Sequence, residues 1–114
     1  MDTEAIFHRL GVTPQQLAEF CQQANVTKLE VFGSLRRDDF RADSDIDFLV
    51  TFAANCPIDL LGFVRLEREL EMLLGRSVDL ISKQAVMSDR NWLRRREILE
   101  TSQVIYESRP AVSA

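Results

Sequence analysis

Val31–Val50 reads VFGSLRRDDFRADSDIDFLV, and the order of residue types in this stretch decides how the rest of the chain is read. An apolar run ends at Gly33-Ser34; after ten further residues Asp45-Ile46-Asp47 opens a second apolar run through Phe48, Leu49 and Val50. Alternate residues of a strand face one side, roughly 6.5–7 Å apart, so Asp45 and Asp47 on one strand can share a metal ion. Aspartate is depleted in strands, and two of them inside an apolar run call for a purpose. A two-metal site that moves a nucleotide supplies one. A turn followed by a half-exposed strand with its aspartates toward solvent is the plainer alternative.

Around this segment the chain alternates between helical and extended patterns. Residues 3–10 predict a short helix that Gly11 ends. Thr13-Pro14, with Gln16 three residues after the threonine, is a helix start with a capping box and proline in the first turn. Leu17, Phe20, Cys21 and Ala24 then follow the stripe of a core-facing helix. Lys28–Phe32 predicts a strand with Leu29 and Val31 on one face, and Asp45–Phe52 a second. A long helix is expected from Pro57, with Leu60, Phe63, Val64, Leu70, Leu73 and Leu74 as its apolar positions and Gly75 as its stop. Ser77–Ser82 predicts a third strand, in which Asp79 stands between Val78 and Leu80 as another acid in an apolar run. Ser88-Asp89 is read as the cap of a last helix reaching Leu99. Val104–Tyr106 is read as an edge strand, and the residues from Arg109 as a disordered tail. The pattern is α/β (α+β): a small mixed sheet flanked by helices.

Composition narrows the function classes. At 114 residues the chain fits one domain, long enough to bury a core without staples. It is 46% hydrophobic and 28% charged, as ordinary globular domains are. A net charge of -4 argues against a protein that coats nucleic acid. No apolar run approaches the roughly 18 residues of a membrane span. The N-terminus, MDTEAIFHRL, lacks the basic-then-apolar order of a secretory signal, so a cytoplasmic protein is expected. Cys21 and Cys56 have unlike surroundings and no metal-ligand spacing, which fits buried thiols in a reducing compartment.

Gly-Ser, ten residues, Asp-x-Asp, at Gly33, Ser34, Asp45 and Asp47, resembles the signature of the minimal nucleotidyltransferases (MNT), members of the DNA polymerase β-like nucleotidyltransferase superfamily. That family often carries an arginine three positions after the serine, here Arg37, and a serine before the first aspartate, here Ser44. The resemblance runs over about residues 27–107. It implies the polymerase β-like fold, with a short helix over 34–40, N-terminal helices (1–26) packed on a nucleotidyltransferase domain (27–108), and a tail (109–114). It also implies that Asp45, Asp47 and, as third carboxylate, Asp79 hold two Mg²⁺ ions, while Gly33, Ser34, Arg37 and Ser44 face the nucleotide. Two such ions about 3.5–4 Å apart stabilise both the attacking and the leaving oxygen of an in-line displacement.

The activity implied is transfer of AMP from ATP to a hydroxyl, most directly a tyrosine of a partner HEPN ribonuclease toxin, with the chain as antitoxin of a HEPN/MNT pair. Two rival classes stay open. One is a non-catalytic binding module that silences a toxin by occlusion. The other is a small-molecule, aminoglycoside-type nucleotidyltransferase whose acceptor pocket forms across a dimer. The remaining conspicuous residues have structural readings. Arg94-Arg95-Arg96 reads as a solvated helix face, and His8 as a partner of a helix dipole. Trp92 and Tyr106 read as core or interface anchors. Arg65, Glu67, Arg68, Glu69 and Glu71 read as the charged side of the long helix, with Arg65 and Glu69 paired.

Overall fold

Thr13 begins the second helix as the sequence predicts. Its hydroxyl accepts the Gln16 N–H at 3.1 Å, and the Gln16 side chain accepts the Thr13 N–H at 2.9 Å. In the computed structural model, which describes residues 2–33, 41, 44–54 and 58–108, this helix α2 (Pro14–Gln23) follows α1 (Thr3–Leu10). Ile6, Phe7, Leu10, Leu17 and Cys21 bury their side chains in the main core, and Phe20 and Ala24 pack at its margin. Cys21 is a free, buried thiol whose pKa burial pushes from its ordinary 9.0 to about 12. Cys56 lies outside the described residues, as do Ser34, Arg37, the helix expected over 34–40 and the expected tail from Arg109.

The sheet comprises β1 (Val26–Phe32), β2 (Ile46–Phe52), β3 (Val78–Ser82) and β4 (Gln103–Glu107) in the order β3-β2-β1-β4. β1 is antiparallel to both β2 and β4, whereas β2 and β3 run parallel. β4 is the expected edge strand, extended by one residue at each end. Even-numbered β2 residues Ile46, Phe48 and Val50 join Leu29, Val31, Val78 and Leu80 under α1, α2 and α3. On the opposite face Phe32 and Leu49 form a second, smaller core with Val86 and Ile98.

The long helix, α3 (Leu60–Leu74), departs from expectation at its start. Asp59 is its N-cap, accepting the Gly62 N–H at 2.8 Å, so the helix begins after Pro57, itself outside the described residues. Leu66 and Leu70 are buried, whereas Leu60, at 78% exposure, and Val64 face out. At about 100° per residue, Val64 stands about 200° from Leu66. The core stripe is therefore Phe63, Leu66, Leu70, Leu73 and Leu74. Gly75 ends the helix in the left-handed conformation, as read from sequence. Glu67 and Glu71 are not part of a solvated face. They accept the N–H groups of Leu80 (3.0 Å) and Val78 (2.9 Å), satisfying donors on the outer side of edge strand β3. Such unpaired donors otherwise invite another strand. Arg65 and Glu69 are exposed; the i, i+4 ion pair among the described residues is Arg96–Glu100, at 2.9 Å.

The single last helix is a pair. Ser82 caps α4 (Lys83–Met87), which leaves β3 without a loop, and Asn91 caps α5 (Trp92–Thr101). Ser88 is the C-cap of α4 rather than an N-cap, and five residues are too few to show a period in sequence. Both helices are fastened to the second face through Glu30, which is 5% exposed. Its carboxylate takes Lys83 Nζ at 3.0 Å and the Ser102 hydroxyl at 3.2 Å. His8 lies in the last turn of α1 as expected; Tyr106 packs against the main core, while Trp92 is mostly exposed. No helix among the described residues is long and apolar enough to cross a membrane.

Two expectations follow from this packing. Lys83→Met leaves Glu30 a buried carboxylate without its ion-pair partner, and urea unfolding is expected to show a loss of about 2–3 kcal/mol. The raised Cys21 pKa means that the unfolded chain releases this proton first as pH rises. Its contribution is therefore constant below pH 9 and falls by about 1.4 kcal/mol per unit from about 9 to 12. The stability difference between wild type and Cys21→Ala is expected to be constant below pH 9 and to change only in that window.

Candidate active site

β1 runs out at Phe32, and Gly33 turns the chain with φ +70°, a conformation that favours glycine. A β-carbon at Gly33 would collide with the Asp47 carboxylate, standing 3.2 Å from its Cγ. The backbone here passes against an acid. Asp47 is the β2 residue that pairs with Phe32 on one side and with Asp79 of β3 on the other. Parallel pairing in register points both carboxylates to the face that carries Phe32 and Leu49.

These three residues border a cavity of about 500 Å³. The sheet side contributes Phe32, Gly33, Asp47, Asp79 and Ile81; helix α5 contributes Arg94, Glu97, Ile98 and Thr101. The α5 residues are spaced i, i+3, i+4, i+7, so one helix face forms a wall. That wall was not anticipated from sequence, although the spacing is legible in RRREILET once α5 is known to face the acids. The three arginines are not equivalent. Arg95 donates to the Asp89 carbonyl at 3.2 Å and Arg96 pairs with Glu100, whereas Arg94 faces the cavity.

Asp45 and Ser44 stand just beyond. β2 begins at Ile46, not at Asp45, so Asp45 lies one residue outside the ladder; it is exposed and is not among the residues lining the cavity. The Ser44 hydroxyl, one residue ahead of Asp45, accepts the Arg41 N–H at 3.0 Å. Arg76 Nη2 donates to the carbonyls of Arg41 (2.6 Å) and Ser44 (2.9 Å). Among the described residues no three acid, histidine or cysteine side chains are gathered tightly enough to enclose an ion. The donor set of Asp47 and Asp79, with Asp45 alongside, suits a hard cation that keeps waters or takes oxygens from a bound anion, as Mg²⁺ does.

Residues 14–105 match the nucleotidyltransferase domain family. The chain belongs to this family. Protein adenylyltransferase MntA of Thermococcus cleftensis is 43% identical over 70 residues, 61% of this nucleotidyltransferase and 69% of the relative. The chain spans about two thirds of the length of the curated relatives it matches, the next at 64%. A solved structure described as a minimal nucleotidyltransferase superposes with a TM-score of 0.62 at 32% identity, covering 90% of this chain and 95% of that one. Two further neighbours share the fold at lower identity. One, a toxin–antitoxin with AMP-PNP, has a TM-score of 0.64 at 17% identity over 86% of this chain and 76% of its own. The other, a tri-AMPylated Shewanella oneidensis HEPN toxin in complex with MNT antitoxin, has a TM-score of 0.56 at 16% identity over 83% and 70%. The fold expected from the sequence is the one found.

Gly33→Ala tests the close approach. It imposes a left-handed alanine and drives a methyl into the Asp47 carboxylate. A stability loss of about 1–3 kcal/mol is expected in urea unfolding, together with loss of nucleotide transfer beyond what the unfolded fraction accounts for.

Proposed function

We propose that this nucleotidyltransferase moves AMP from ATP to a hydroxyl of a partner protein, a tyrosine of a HEPN ribonuclease toxin, and acts in the cytoplasm as its antitoxin. The observation that carries the reading is the pairing of Asp47 with Asp79, in register on adjacent parallel strands, beside the Gly33 turn at the mouth of one cavity. The name of the Thermococcus relative, a protein adenylyltransferase, supports the chemistry.

Asp45, Asp47 and Asp79 are the residues that would hold Mg²⁺. Bound there, the ions would offset the triphosphate charge and stabilise the attacking and leaving oxygens. Asp79, on the outer strand, would help take the proton from the acceptor hydroxyl. The acceptor oxygen bonds to the α-phosphorus as the bond to the bridging oxygen breaks, and pyrophosphate leaves. Gly33 lets backbone approach the phosphates, and Ser34 and Arg37 would donate to them. Ser44 contributes through its hydrogen bonds to Arg41, and Arg94 offers a second cation to the anionic ligand from the α5 wall.

The test uses α-³²P-ATP and Mg²⁺ with the full chain and its co-expressed neighbouring protein. Label on a tyrosine of the neighbour is expected, with a loss of at least about 100-fold in Asp45→Asn/Asp47→Asn. Undiminished toxin silencing by that variant, with no label in either reaction, would replace transfer with occlusion. Label on a small-molecule acceptor but on no protein would favour the aminoglycoside-type activity.

A further inference from the structure

Strand pairing fixes Asp47 and Asp79 relative to each other, but Asp45 stands outside the ladder. After it, the Ile46 N–H is tied to the Ser77 carbonyl at 3.1 Å; before it stand Arg41 and Ser44. Arg41 and Ser44 bond to each other twice: the Ser44 N–H donates to the Arg41 carbonyl at 3.1 Å, and the Arg41 N–H donates to the Ser44 hydroxyl at 3.0 Å. Those two bonds are local and do not locate the pair against the segment that leads into β3. Arg76 provides that location, because one of its terminal nitrogens reaches both carbonyls, at 2.6 and 2.9 Å.

Arg76 is itself anchored. It follows the Gly75 cap of α3, and its own N–H donates to the Glu71 carbonyl at 3.3 Å. It also precedes Ser77, whose carbonyl accepts the Ile46 N–H at 3.1 Å, and stands three residues before Asp79. One side chain thus ties the segment entering Asp45 to the segment entering Asp79. Hydrogen bonds from a guanidinium are charge-assisted, and its planar fork holds direction in a way that a lysine ammonium does not.

We propose that Arg76 is a positioning residue: by clamping the carbonyls of Arg41 and Ser44 it holds Asp45 in reach of the divalent cation shared with Asp47 and Asp79. This inference rests on the reading of those acids as a metal edge. Groups that orient metal ligands typically change affinity by 10–100-fold when removed.

The experiment measures Mn²⁺ affinity by electron paramagnetic resonance, in the presence of ATP, for wild type, Arg76→Lys, Arg76→Met, Asp45→Asn, Asp47→Asn and the double variant Arg76→Met/Asp45→Asn, with thermal unfolding of each. Arg76→Met is expected to weaken Mn²⁺ binding about tenfold, and Arg76→Lys by less. Because Arg76 acts through Asp45, the loss is expected to vanish when Asp45 is already asparagine, a non-additivity that general destabilisation does not produce. If Arg76→Met does not fold, the comparison runs with Arg76→Lys on both backgrounds. Wild-type affinity in the folded arginine variants, or a loss that persists undiminished without Asp45, would overturn the proposal. Unchanged Mn²⁺ affinity in Asp45→Asn and in Asp47→Asn would instead overturn the metal reading beneath it.

Discussion

The parallel pairing of β2 with β3 is the constraint on which the site depends. It places Asp47 level with Asp79, and no turn or side-chain contact could hold two acids side by side with the same economy. Parallel neighbours require a crossover, and α3 is that crossover. The length of the helix, its cap at Asp59 and its end at Gly75 therefore serve the acids as much as the core. Glu67 and Glu71 complete the arrangement by closing the outer side of β3, leaving the strand that carries Asp79 with fewer open donors for a foreign strand.

The sheet divides its labour by parity. Even positions of β2 fill the main core, so a single-residue slip would exchange Ile46, Phe48 and Val50 for Asp47, Leu49 and Thr51. Burying Asp47 in that apolar layer would cost far more than any gain in strand pairing, and this fixes the acids to the opposite face. That face is half core and half site: Leu49, Val86 and Ile98 pack, while Asp47, Asp79 and Arg94 line space. The Glu30–Lys83 pair lies on the same face and holds α4 against the sheet.

Much of this was legible in sequence, for identifiable reasons. Thr13, Gly11 and Gly75 carry strong local signals, and the helices they bound have the predicted starts or ends. Gly33, Asp47 and Asp79 stood out because each breaks the pattern of an apolar strand, and the structure brings all three to one cavity. What escaped was tertiary. Leu60 and Val64 are as apolar as Leu66 and Leu70, and only the direction of the sheet separates the two pairs. Glu30, Glu67 and Glu71 look like surface charge until their partners at Lys83, Leu80 and Val78 are known. Arg94 and Arg76 were unreadable for the same reason: Arg94 lines a cavity with acids from distant strands, and Arg76 bonds carbonyls far away in sequence.

The residues that break local rules are concentrated at one end of the sheet. Gly33 occupies a left-handed turn, Asp47 and Asp79 occupy strand positions that β-branched residues fill better, and Asp45 lies beyond the ladder. Each departure lowers the intrinsic preference of its own segment, and each is held by something stronger nearby. The β1–β2 register holds Gly33 against Asp47, the β2–β3 register holds Asp47 level with Asp79, and Arg76 bonds the carbonyls of Arg41 and Ser44 ahead of Asp45. Local violation with global support is the pattern expected of a functional site. Valine at position 79 would suit the strand better, so strand preference alone does not account for an acid there. Its presence is better explained by the chemistry of the cavity it borders than by the stability of the sheet that carries it.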